Sequence, residues 1–86
     1  MITHIEKFGA TWCGPCKVLD KTLEKVTGVH ISKYDVDQFE DLAAERGIRS
    51  IPVLVFWDEN NQEVDRLIGA VSLDKINEVI EKWKLL

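Results

Sequence analysis

Pro52 is followed by Val53-Leu54-Val55-Phe56-Trp57, and this stretch restricts the possible folds more than any other. Successive side chains of a strand point to opposite sides, so a strand covered on one face alternates apolar and polar residues. Five apolar residues in a row do not alternate. Bounded by turn signals, such a run predicts a central strand buried on both faces. Helices must then cover both sides of its sheet.

The flanking sequence supplies further strands and the helices. Ile2 to Phe8 reads as a strand, with Ile5 and Lys7 on one face and Glu6 and Phe8 on the other. Gly9-Ala10-Thr11 breaks it. A helix is predicted from near Cys13, because Pro15 is tolerated only in a first turn. Cys16, Leu19, Leu23 and Val26 mark its inner face, and Lys17, Asp20, Lys21, Glu24 and Lys25 its outer face, with Gly28 as its end. His30 to Val36 reads as a second strand. Asp37 and Glu40 have capping-box spacing for a helix that buries Phe39, Leu42 and Ala43 and stops at Gly47. After the central strand, residues 58–62 form a turn. Glu63 to Ile68 returns as a hairpin strand whose imperfect alternation points to a bulge. Ser72 caps a last helix with Leu73, Ile76, Ile80 and Trp83 inward. The order βαβ, then ββα, predicts an α/β fold: a four-stranded mixed sheet with three helices on both faces. One domain over residues 1–86 is expected. Its parallel pair is joined by a right-handed crossover.

Composition excludes several functions. The chain has 86 residues, 45% of them hydrophobic, and a net charge of −4. That mildly acidic, mixed surface argues against nucleic acid or an anionic membrane as partner, since both favour basic patches. No apolar run approaches a membrane span. The start, MITHIEKFGA, lacks a basic segment followed by an apolar stretch, so no signal peptide is expected. A cytoplasmic protein is the expectation, and structural disulfides are rare in that compartment.

Against that background stands TWCGPCK at positions 11 to 17, which holds the only two cysteines. They form a structural disulfide, half of a metal site or a reactive dithiol. Zinc requires about four ligands. His4 and His30 are the only other soft ligands, neither at ligand spacing, so no metal is expected unless two chains share a cluster. A disulfide closing so small a loop gains little entropy. The helix phase makes the two thiols unequal. Cys16 lies on the apolar stripe, where burial disfavours its thiolate. Cys13 sits at the helix start, where unpaired N–H groups and the helix dipole favour one.

TWCGPCK, after a strand and at the mouth of a helix, resembles the active site of the thioredoxin family. GIRSIPVLVF at 47 to 56 resembles that family's cis-proline loop, IGA at 68 to 70 its groove segment, and DVDQ at 35 to 38 matches too. These motifs, in the right order, cover nearly the whole chain. It resembles a short thioredoxin without the extra N-terminal strand and helix, a layout shared with glutaredoxins. The resemblance implies the thioredoxin fold and reduction of protein disulfides. Cys13 attacks and forms a mixed disulfide, and Cys16 resolves it. It implies no bound cofactor: electrons come from NADPH through a thioredoxin reductase and pass to clients such as ribonucleotide reductase. A monomer is expected. Gly14 and Pro15 set the redox poise, and Trp12 walls a groove completed by Ser50, Ile51, cis-Pro52, Gly69 and Ala70. An extended substrate strand would pair with the Ile51 backbone. Trp57 and Trp83 read as packing residues.

The chain departs from the family at Lys7, where a buried aspartate is usual, and Lys33 matches the lysine that accompanies it. Two readings are open. In one, Lys7 runs its stem along the sheet and puts its ammonium in water. In the other it lies under Cys16, stabilising thiolates when charged or acting as base when neutral. Glu6, the nearest acid, points to the opposite face. Two alternative functions also stay open. A glutaredoxin-like protein recharged by glutathione usually carries Cys-Pro-Tyr-Cys, Thr-Val-Pro and a Gly-Gly pair, and this chain has none of these. Lys17 and Arg49 are its candidate contacts for glutathione carboxylates. A thioredoxin-fold binding subunit would use the groove without the dithiol.

Overall fold

The apolar run lies inside a sheet of strand order β2-β1-β3-β4. In the computed structural model, which describes residues 1–84, the elements are β1 (Ile2–Gly9), α1 (Gly14–Leu23), β2 (His30–Asp35), α2 (Glu40–Glu45), β3 (Val53–Asp58), β4 (Glu63–Ile68) and α3 (Leu73–Lys84). The final two positions of the expected 1–86 unit lie outside the described residues. β1 pairs in parallel with β2, setting Lys7 opposite Lys33. β3 runs antiparallel to β1 and to β4. The expected irregularity of β4 is a register shift opposite Phe56 and Trp57.

The unbroken apolar character of β3 follows from its position. Leu54 and Phe56 join Ile5, Leu19, Leu23, Ile76 and Ile80 in a core shared with α1 and α3. Val53 and Val55 face the other way, with Phe8, Tyr34, Leu42 and Ile48. Full burial of each such side chain stabilises by about 1.5–3 kcal/mol. α3 is anchored by Ser72, whose Oγ accepts the Lys75 N–H at 3.2 Å.

Three helix details differ from expectation. α1 stops at Leu23 rather than near Gly28. Beyond it the chain tightens, with the Lys25 N–H donating to Thr22 O and the Val26 N–H to Leu23 O, each at 3.1 Å. Val26 still packs on the core, which is why its spacing reads as helical. Gly28, at φ 80°, lies in the turn that follows. The second difference is at α2, which has no capping box. Its N-cap is Phe39, without a side-chain hydrogen bond. The Asp37 N–H instead donates to Asp35 Oδ1 at 2.9 Å, closing a local turn. Third, Phe39 is exposed, its ring edge-on to Tyr34 at 5.2 Å.

Glu6 is buried on the α2 side of the sheet. It accepts from Arg46 Nε at 2.9 Å, Arg46 Nη2 at 3.3 Å and Trp57 Nε1 at 2.9 Å. Arg46 also lies 4.7 Å over the Trp57 ring. Hydrogen bonding to Glu6 raises the pKa of Arg46 against the opposing effect of burial. Trp57 is therefore a hydrogen-bond donor as well as packing.

Candidate active site

β1 delivers the chain to the cysteines. The Cys13 N–H donates to Ala10 O at 3.3 Å, and Cys13 is the extended N-cap of α1, with φ −93° and ψ 111°. Its Sγ accepts the Cys16 N–H at 3.2 Å. An N-cap oxygen usually takes that donor; here sulfur does. Gly14 and Pro15 fill the first turn, where Pro15 removes an N–H that has no helical partner.

Cys13 and Cys16 are joined by a disulfide. Cys16 is 1% exposed and Cys13 is 7% exposed. The inequality has the expected sense, yet Cys13 is more enclosed than an exposed nucleophile. Ala10, Val36 and Ile51 pack around the bonded pair and cover it. Of the two residues, Cys13 is the less enclosed.

Of the expected groove residues, Ile51 packs against this pair and Trp12 adjoins it in sequence. Trp12 is 68% exposed, and its Nε1 donates to Asp37 Oδ2 at 2.8 Å. The Asp37 carboxylate therefore steadies the indole instead of capping α2. A depression of about 220 Å³ is lined by Trp12, Val36, Ala43, Ile48, Arg49, Ser50 and Ile51. The Ile51–Pro52 bond is cis. Pro52 is buried, and its carbonyl accepts the Gly69 N–H at 2.9 Å, which ties the end of β4 to the loop before β3. Gly69 has φ 95°, a conformation that favours glycine. Ala70 is exposed beside it and does not line the depression.

The structure overturns the reading in which Lys7 reaches water. Lys7 is 6% exposed. Its Nζ lies 3.1 Å from Asp20 Oδ1, and Lys33 Nζ lies 3.4 Å from the same oxygen. That oxygen is buried and makes no well-aligned hydrogen bond to either cation. Lys33 is half exposed, so only one of the two lysines is buried. Asp20 is thus the residue that sequence reasoning misplaced on the outer face. A signal for it existed: Asp20 follows Cys16 by four positions, and residues so spaced share a helix face. Gly9 brings the two groups together. A Cβ there would stand 2.6 Å from Lys7 Nζ and 3.1 Å from Cys16 Sγ.

The two histidines, unpartnered by sequence spacing, are neighbours in the β1–β2 register. Their ring centroids are 5.1 Å apart, and His4 Nε2 lies 2.9 Å from Ser32 Oγ. Burial, then the nearby His30, lower the His4 pKa, while Glu6 opposes them. Among the described residues no group of three or more His, Cys, Asp or Glu is placed to hold a metal ion.

A Cys-x-x-Cys disulfide of unequal burial at a helix start, on this fold, is the arrangement of a thiol–disulfide oxidoreductase. The chain belongs to the thioredoxin family, whose sequence model matches residues 2–82. It is 42% identical to a thioredoxin of Malassezia sympodialis over 73% of this chain and 65% of that protein. Identity to a Staphylococcus saprophyticus thioredoxin is 39%, over 92% of this chain and 80% of the relative. Among solved structures, oxidised mitochondrial thioredoxin 3 of Saccharomyces cerevisiae superposes with a TM-score of 0.83 at 31% identity, covering 92% of this chain and 76% of that one.

Proposed function

We propose that the chain reduces disulfides of client proteins as a cytoplasmic monomer, with Cys13 as attacking and Cys16 as resolving thiol. The observation that carries this reading is the inequality of the pair. Cys13 Sγ accepts a backbone N–H at the start of α1, while Cys16 is enclosed beneath it. Donors at a helix start favour the thiolate that acts as nucleophile. The Cys13 thiolate attacks one client sulfur, a mixed disulfide forms, and the other client sulfur leaves as a thiolate. Cys16 then attacks Cys13 Sγ, the internal disulfide closes, and the second client thiolate departs. Two electrons pass from the dithiol to the client.

Trp12, Ser50, Ile51, Pro52, Gly69 and Ala70 form the docking groove in this reading, and the Ile51 backbone pairs with an extended client segment. Gly14 and Pro15 hold the first turn and set the poise. A thioredoxin reductase drawing on NADPH returns the electrons, and ribonucleotide reductase is one client of the expected kind. The thioredoxin relatives support this recharging route over glutathione.

The test is catalysis of protein-disulfide reduction with dithiothreitol as electron source. Catalysis should disappear in Cys13→Ser, and Cys16→Ser should accumulate the mixed disulfide. Equal rates with and without the protein would refute the reading. Recharging by glutathione alone, with none by NADPH and a thioredoxin reductase, would replace the proposed electron source.

A further inference from the structure

Lys7, Gly9 and Asp20 form an arrangement that a helix-start thiol does not by itself require. Lys7 Nζ and Cys16 Sγ converge on one point, the empty side-chain position of Gly9. From outside, an open cleft of about 450 Å³ reaches the same place. Its charged lining is Lys7 on β1, Lys17 and Asp20 on α1, and Lys33 and Asp35 on β2. β3 presents the aliphatic Leu54 opposite Lys7. Of these cations Lys7 alone is buried, and Asp20 holds it at 3.1 Å. A buried ion pair is weak evidence for a stabilising role, since apolar replacements are often as stable. Its location beside the resolving sulfur points to the exchange chemistry instead.

We propose that Lys7 is the positioning residue for the release step: its ammonium, paired with Asp20, favours the Cys16 thiolate that expels the client. The proposal rests on the reductase reading above. In the step itself, the Cys16 thiol gives its proton to water. The resulting thiolate attacks Cys13 Sγ, and the Cys13–Cys16 bond forms. The bond from Cys13 to the client sulfur breaks, and that sulfur leaves with the electron pair as a thiolate. An opposite charge this near favours an anion by a factor of about ten or more. Lys33, half in water, contributes less because solvent screens it. Cys13 needs no such help, having the N–H donors of the helix start.

The test separates the two steps of exchange. Cys13 is loaded as a mixed disulfide with a chromophoric aromatic thiol, and release of that thiol is followed from about pH 5 to about pH 9, across the range in which thiols begin to ionise. Lys7→Met removes the charge at similar volume and leaves Asp20 paired with Lys33. Its release should be at least about tenfold slower at neutral pH, with the rate–pH profile displaced upward by about one unit. Loading of Cys13, measured in Cys16→Ser with and without Lys7→Met, should agree within about twofold, because the N–H donors at Cys13 remain. Overlapping wild-type and Lys7→Met release profiles would overturn the proposal. So would uniform slowing without displacement, which is what a merely structural residue produces. A wild-type chain that loads no mixed disulfide would instead overturn the reductase reading, and this proposal with it.

Discussion

Replacing Arg46 by Met should expose the energetics of the polar cluster opposite the dithiol. Arg46 makes two hydrogen bonds to Glu6, at 2.9 and 3.3 Å, and covers the Trp57 ring at 4.7 Å. Met preserves much of the stem but leaves Glu6 with Trp57 Nε1 as its remaining side-chain donor. The Glu6 side chain is 6% exposed, so a lone carboxylate there is an uncompensated buried charge. Breaking a fully buried pair in this way costs about 3–5 kcal/mol. The Arg46 side chain is 22% exposed, which lets some water reach the vacated site and favours the lower end, about 3 kcal/mol. With a urea slope near 1 kcal/mol per M, the unfolding midpoint should fall by about 3 M. The assay is urea unfolding of the oxidised protein, run for Arg46→Met and for the double variant Glu6→Leu, Arg46→Met. Removing both charges should recover most of the loss, since the group left unpaired is then the neutral Trp57 Nε1–H rather than a buried carboxylate. A single-variant loss below about 1 kcal/mol, or a double variant no more stable than the single, would refute the reasoning.

Other perturbations probe the remaining parts. Gly9→Ala places a Cβ against Lys7 Nζ and Cys16 Sγ, and urea unfolding should show a loss of about 1–3 kcal/mol; a loss below about 0.5 kcal/mol would mean that Lys7 swings aside freely. Ile76→Ala removes a fully buried side chain of α3 and should destabilise by about 2–5 kcal/mol, and a smaller effect in the same assay would contradict its core position. His4 has a lowered pKa when folded, so the unfolded chain takes up its proton at higher pH. Stability contributed at His4 is therefore fully present above the ordinary value of about 6.5 and lost as pH falls through the folded value. Thermal melts across that window should show the loss, and His4→Asn should reduce its slope; an unchanged slope would contradict the assignment to His4.

Local regularities made much of the fold legible. Alternation, the unbroken run at β3, Pro15 in a first turn and Ser72 before α3 each act within a few residues. They reveal strands, helices and the inequality of Cys13 and Cys16 through backbone geometry and helix phase. The end of α1 was less legible because Val26 keeps an apolar contact after the helical hydrogen bonds have changed. Asp37 was misleading for a similar reason: its carboxylate has two possible uses, and Trp12, 25 positions away, takes it.

By itself, the sequence determined the order of the elements, the central place of β3 and the site of the dithiol, because these follow from short-range periodicity and chain stiffness. Only the tertiary structure decided how the charges are matched. Glu6 finds Arg46 forty positions along the chain, and Lys7 finds Asp20 across the sheet–helix interface. Those pairings depend on which elements touch and at what register. A buried charge takes whichever partner that contact provides, since the penalty for remaining alone is large.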